Sequence, residues 1–308
     1  MSGSHLSRRQ FQLATVAGVL GCCSPVSSAE KHKGFIDAHV HVWTPDIKSY
    51  PLDQAFDVGD MQPTSFTPEE LFRHTKPSGV DRIVLIQMSF YNFDNRYMLD
   101  MMAKFPGVFG GVGIVDHQAA DVAKQMKKLA SAGVKGFRLH SRGGSAAQWP
   151  SDAGMKTVWK TAADENLAVC PLINPEELPH VDSLCKQFPK TKVVIDHFAR
   201  VGISGQVEAE QLKTLCSLSR HQHTHVKTSA FYALGKKQPP YTDLEPMIKT
   251  VVDAYGADRL MWASDCPYQV QGDHTYEASI ALIRDHCQFL SAEQKSAILR
   301  GTAEKLFF

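Results

Sequence analysis

From Gly34 onward, short runs of apolar residues alternate with stretches whose apolar positions recur every three to four residues, the rhythm of repeated β/α units. Eight runs read as strands: FIDAHVHV, RIVLIQMS, VFGGVGIV, VKGFRLH, LAVCPLIN, KVVIDHF, HVKTSAFY and RLMWASD. Between them, TPEELFRHT has a helix start, with Thr67 and Glu70 as a capping box and Pro68 at the first helical position. In AADVAKQMKKLASAG, Val122, Met126 and Leu129 share one stripe and Gly133 supplies the stop. No Pro/Gly/Ser-rich linker interrupts the pattern, so residues 34–308 are expected to form one domain. Eight units in about 275 residues is the size of a (β/α)8 TIM barrel. An open doubly wound α/β sheet has the same periodicity and is the rival. The barrel makes the sharper prediction, because its chemistry collects at the C-terminal ends of several strands.

Composition narrows the function classes. The chain has 308 residues, 43% hydrophobic and 21% charged, with a formal net charge of +1. That is ordinary globular composition, with no basic field to attract nucleic acid or an anionic membrane. Of seven cysteines, the five beyond residue 29 show no C-x-x-C spacing, which argues against a thiolate zinc site and a disulfide framework. At the N-terminus, Ser7-Arg8-Arg9-Gln10-Phe11 precedes an apolar run, Leu13 to Cys23, too short to span a bilayer, and then small residues ending at Ala29. This order resembles a twin-arginine export signal over residues 1–29, and hence an exported, periplasmic or envelope-associated protein. A basic amphipathic tail is the plainer reading, and VLGC, ending at Cys22, leaves a lipid anchor as a minor option.

The strand ends carry the candidate chemistry. On a strand, residues i and i+2 point the same way, so His39 and His41 share a face at the end of the first. The second ends in Gln87 and Ser89, the fourth in Arg138 and His140 with Arg142 in the following loop, and the fifth in Asn174. The sixth ends in Asp196-His197 with Arg200 beyond, and the eighth in Ser264-Asp265-Cys266-Pro267. Neutral imidazoles and a carboxylate are good ligands for Zn²⁺ and similar divalent ions, so His39, His41, His197 and Asp265 form a candidate metal set. Asp265 and His197 are the candidate catalytic groups, with Asp265 as general base. Arg138 and Arg200 would hold a carboxylate or hydroxyl groups of a small-molecule substrate, helped by Ser89, Gln87, His140, Arg142 and Asn174. Each residue alone has a blander role open to it: Asp265 as a helix cap, Arg138 as an ion-pair partner, His197 as a core histidine. His221, His223 and His225 precede the seventh strand and are expected on the opposite, solvated face.

IDAHVHVW, VVIDHFAR and MWASDCPY, in that order at three strand ends, resemble the amidohydrolase superfamily, specifically its amidohydrolase-related branch of lactonases and decarboxylases. ILRGTAEKLF resembles the family's closing helix. The resemblance implies metal ligands at His39, His41 and His197, a general base at Asp265, and substrate contacts at Arg200, Arg138, Ser89 and Arg142. The decarboxylases carry a histidine after the fifth strand, where PLIN has Asn174, which favours a lactone or ester hydrolase over a metal-dependent decarboxylase. The seventh strand lacks the arginine expected of a dicarboxylate-specific pyrone lactonase. The residues are also compatible with metal-free action, in which the histidines hydrogen-bond the carbonyl oxygen, and with a catalytically silent barrel that binds ligand.

Overall fold

The computed structural model describes residues 1, 34–141 and 145–308; most of the expected export segment, and Arg142, lie outside these. Eight parallel strands pair in sequence order: β1 (Phe35–Val40), β2 (Val80–Ile86), β3 (Phe109–Gly113), β4 (Val134–His140), β5 (Ala168–Leu172), β6 (Lys192–Ile195), β7 (Thr224–Ser229) and β8 (Leu260–Ala263). Each of the first seven is followed by a helix: α1 (Pro68–Thr75), α2 (Arg96–Lys104), α3 (Val122–Ser131), α4 (Ala153–Asp164), α5 (Leu178–Gln187), α6 (Ala209–Ser217) and α7 (Glu245–Tyr255). Shorter helices α8 (Tyr276–Ala281), α9 (Ala292–Ser296) and α10 (Thr302–Phe307) close the chain. The barrel is the fold, and the open doubly wound sheet is excluded by the contact between first and last strands.

That contact is made at the top of the barrel. The His41 amide donates to the Cys266 carbonyl at 2.8 Å and the Asp265 amide donates to the His39 carbonyl at 2.9 Å. Lower down, the Asp37 carboxylate substitutes for a ladder partner, accepting from the Ser264 amide at 2.9 Å and from the Tyr276 hydroxyl at 2.7 Å. Burial pushes the Asp37 carboxyl up to about 6, against the opposing pull of its bonds to Ser264 and Tyr276.

Local signals act as the sequence predicts. Glu70 Oε2 accepts from the Thr67 amide at 2.6 Å, and Thr67 Oγ1 accepts from the Glu70 amide at 3.4 Å. α3 stops at Ser131, and Gly133 follows with φ +98°, a conformation glycine adopts without a Cβ clash. Apolar residues divide between a shell under the helices and a small lumen cluster that includes Ile36, Ala38, Val84, Val194 and Met261. α10 joins that cluster through Ala303 and Phe307, plugging the N-terminal end of the barrel, where Arg300 bonds the Gly34 carbonyl and Asp81. Along β1 the alternation breaks: Ile36 and Ala38 belong to the lumen, Val40 to the outer shell, and the pairing with β2 shifts between Asp37 and Val40. An irregularity of this kind re-aims the side chains beyond it. Here it turns His39 and His41 inward.

Candidate active site

At the C-terminal end of the barrel every strand but β4 stops short of its expected end. β6 ends at Ile195, and His197, Phe198, Ala199 and Arg200 follow with φ of 49°, 53°, 52° and 60°, a left-handed turn without glycine. Such a conformation costs about 1–2 kcal/mol per residue. Buried Phe198 and Ala199 anchor the turn, and it carries both His197 and Arg200 into the wall of one cavity. Asp265 has φ 66° as well, so the backbone strain gathers around this mouth.

Among the described residues, one trio of potential ligands converges: His39, His41 and Asp265, all buried. His39 Nε2 lies 3.2 Å from His41 Nε2, and each is 3.5 Å from Asp265 Oδ1. That oxygen is buried with no hydrogen-bond partner, an orphan that a cation at the point of convergence would satisfy. The other carboxylate oxygen, Oδ2, accepts from the Tyr232 hydroxyl at 2.7 Å and faces His197 Nε2 at 3.7 Å. His197 thus stands outside the converging trio, on the opposite side of the carboxylate. Two nitrogens and one oxygen at this spacing fit a divalent ion with coordination positions to spare.

Burial pushes the His39 imidazole well below its ordinary value, with Lys227 adding to the effect, and pushes His197 down to about 4 against the pull of Asp265 and Asp196. Both rings are neutral near pH 7. Burial alone would raise the Asp265 carboxyl, but the charge interaction with His197 and the contacts of His41 and His39 outweigh it and hold it below the usual carboxylate range. His197 Nδ1 lies 2.7 Å from Ser229 Oγ, whose own hydroxyl reaches the Lys227 carbonyl at 3.3 Å. With the serine proton on that carbonyl, Nδ1 carries the histidine proton and Nε2 offers a lone pair toward the mouth.

His41 and Asp265 of the trio floor a cavity of about 460 Å³, with His39 buried behind them. Ser89, Arg138 and Arg200 line its polar side, with Tyr232 and Tyr268, while Met88, Leu172, Ile203 and Leu234 make the rest mainly apolar. Arg138 Nη1 sits 3.3 Å from His41 Nε2, and Arg200 Nη1 donates to Asn174 Oδ1 at 3.1 Å, so Asn174 holds the guanidinium rather than lining the cavity. Gln87 is buried, and its amide donates to the Asp94 carbonyl at 2.7 Å, which ties down the loop after β2 and keeps it off the cavity wall. His140 turns into a neighbouring recess with Asp116, His117 and Trp149. The sequence reading missed Lys227, Asp196 and Tyr232 as contacts of the site. Asp196, named at the strand end beside His197, was the available signal; Lys227 gave none, since it falls at a polar position of its strand. His221, His223 and His225 lie at the other end of β7 as expected, but half-buried rather than solvated, with His221 bonded to Asp182 at 2.6 Å.

The amidohydrolase family model matches residues 36–308. This chain belongs to the amidohydrolase family. It is 29% identical over 274 residues to L-fucono-1,5-lactonase of Burkholderia ambifaria, spanning 87% of this chain and 93% of that protein. It is 27% identical over 243 residues to 4-sulfomuconolactone hydrolase of Hydrogenophaga intermedia, spanning 76% and 75%. An amidohydrolase from Burkholderia multivorans with bound zinc superposes with a TM-score of 0.75 at 19% identity, covering 88% of this chain and 98% of the other. That last likeness confirms the barrel of this amidohydrolase enzyme. Among the described residues no helix is long and apolar enough to cross a membrane.

Proposed function

We propose that this amidohydrolase opens the ester bond of a small lactone bearing a carboxylate or several hydroxyl groups. The observation that carries the reading is Asp265 Oδ1, a buried carboxylate oxygen without a hydrogen-bond partner at the floor of a cavity whose walls present two guanidinium groups. A carboxylate so placed takes a proton from an attacking water, and Tyr232 fixes its other oxygen so that Oδ1 stays turned to the floor. That proton passes on to the ring oxygen as the acyl–oxygen bond breaks, and the lone pair of His197 Nε2 beside the same carboxylate serves to carry it. Arg138 and Arg200 grip the substrate and place its carbonyl over Asp265. His39, His41 and Asp265 would hold a divalent ion, for which zinc suits the donor set, with His197 beside it. When bound, it supplies Lewis-acid polarisation of the carbonyl and acidifies water. Lactone-acting relatives at 29% and 27% identity support hydrolysis over decarboxylation.

A panel of aldonolactones and carboxylated lactones, followed by base consumption at constant pH, tests this. Ring opening of at least one is expected; CO₂ release from aromatic acids with no lactone opened would overturn it. For localisation, the segment 1–29 supports export through a twin-arginine route, leaving 34–308 as the single mature domain. The expected product in a periplasmic fraction is a chain cut after Ala29, and an intact N-terminus confined to the cytoplasm would defeat the proposal.

A further inference from the structure

Beneath the converging trio, on the lumen side, lies a buried cation that the hydrolytic reading leaves without a task. Lys227, on β7, is fully buried. Its Nζ lies 3.1 Å from His39 Nδ1, 2.9 Å from Asp196 Oδ1, and 5.8 Å from the centre of the Phe307 ring of the plug. The contact with Asp196 is an ion pair without hydrogen-bond geometry, whereas the contact with His39 has it. An ammonium group only donates, so His39 Nδ1 must accept and its proton must sit on Nε2. At the far end, the Ile86 carbonyl only accepts, so His41 Nδ1, 2.9 Å away, carries the proton and His41 Nε2 is a lone pair. The gap between is filled by His39 Nε2–H, which donates to His41 Nε2 across 3.2 Å and shares that lone pair with Arg138 Nη1 at 3.3 Å. Lys227, His39, His41 and Ile86 thus form one chain of hydrogen bonds running in a single direction.

A metal ion at the trio needs the opposite His39 tautomer, with Nε2 bare and the proton on Nδ1. The acceptor for that proton is in place, since Asp196 Oδ1 lies 3.4 Å from Nδ1. What stands in the way is the lysine. We propose that Lys227 is a positioning residue that sets the metal affinity of this site, holding His39 in the tautomer that cannot ligate until the ammonium turns wholly to Asp196. The ion-free state is then an organised one, with both histidines satisfied, and a cation competes against it. This inference rests on His39, His41 and Asp265 being the metal-binding groups, and it is independent of which substrate is hydrolysed.

Two measurements test it. With histidine ring nitrogens labelled with nitrogen-15 in chelator-treated wild-type protein, and His39 assigned by the signal lost in His39→Gln, the expected tautomer is Nε2–H. Added Zn²⁺ should convert it to Nδ1–H. A ring found as Nδ1–H before any metal is added overturns the proposal without recourse to a variant. By calorimetric titration, Lys227→Met should bind Zn²⁺ at least about tenfold more tightly than wild type, the range seen when groups behind a ligand are changed. Lys227→Met/Asp196→Asn removes both buried charges and so guards against loss of folding; it should lose most of that gain, because Nδ1–H then lacks its anionic acceptor. Equal or weaker Zn²⁺ binding by folded Lys227→Met refutes the role of the lysine alone. No Zn²⁺ binding by wild type and Lys227→Met alike refutes the metal-site reading and this inference with it.

Discussion

The two ends of this barrel are built from similar residues to opposite purposes. At the N-terminal end, α10 drives Phe307 and Ala303 into the lumen, and Arg300 ties Gly34 and Asp81 together around them. His221 there is bonded to Asp182, which also pairs with Lys186 and Arg220, so its side chain has a settled partner. At the C-terminal end, His39, His41 and His197 are buried more deeply yet turn nitrogens toward the Asp265 carboxylate, whose Oδ1 has no hydrogen-bond partner, and His197 and Asp265 sit on backbone bent into the left-handed region. One end satisfies its polar groups and gains stability. The other leaves the Asp265 oxygen without a partner, and that leaves a group able to react.

If this division holds, changes at the two ends should separate stability from activity. Asp265→Asn should cut lactone turnover by about 10³-fold, the scale of a lost general base, while the thermal midpoint stays at or above that of wild type. Steady-state kinetics and a melting curve read both, and turnover close to wild type would break the assignment of the base. Phe307→Ala should act in reverse, lowering the unfolding free energy by about 3–5 kcal/mol with a KM within a few-fold of wild type, as measured by denaturant unfolding and kinetics.

Acid probes both ends at once. His197 at the top and His225 at the bottom are each pushed down to about 4 by burial. Between that value and the ordinary 6.5, the unfolded chain binds protons that the folded chain refuses, so their stabilisation is full above pH 6.5 and is lost as pH falls toward 4. Asp37, raised to about 6, works the other way, and its contribution is lost as pH rises from 3.8 to 6. Two histidines against one aspartate leave a net loss of at least roughly 3 kcal/mol on going from pH 7 to pH 4, since one proton bound across one pH unit is worth about 1.4 kcal/mol, and His39, pushed lower still, adds to the loss. Denaturant midpoints across that range check it, and a rise in stability toward acid would contradict the sign. The smallest effect belongs to His221→Ala, for which about 0.2–1 kcal/mol of stability and unchanged turnover are expected.

Much of this was legible in the string. All eight strands were, because their apolar runs are bounded by caps and polar turns, and so was the gathering of His39, His41, His197 and Asp265 at strand ends. The failures are physical in kind. Lys227 sits where period-two alternation puts a polar residue, and nothing in HVKTSAFY tells a buried ammonium from a solvated one; only Asp196, from the turn after β6, makes its burial tolerable. Gln87 and His140 obey strand parity but not the cavity, since parity gives a face and the loops decide what that face meets. The left-handed turn over His197–Arg200 has no glycine or asparagine to announce it. It persists because packing around Phe198 and Ala199 overrides local preference.

Closure of the barrel has a consequence in time. The hydrogen bonds that join β1 to the segment after β8 run between the backbones of His39 and His41 and those of Asp265 and Cys266, so the clasp of the ring and the reactive trio are the same few residues. During synthesis the two histidines emerge early and wait for nearly the whole chain before their carboxylate exists. No partly made barrel can then carry a working site. Catalytic competence becomes a certificate of completed folding.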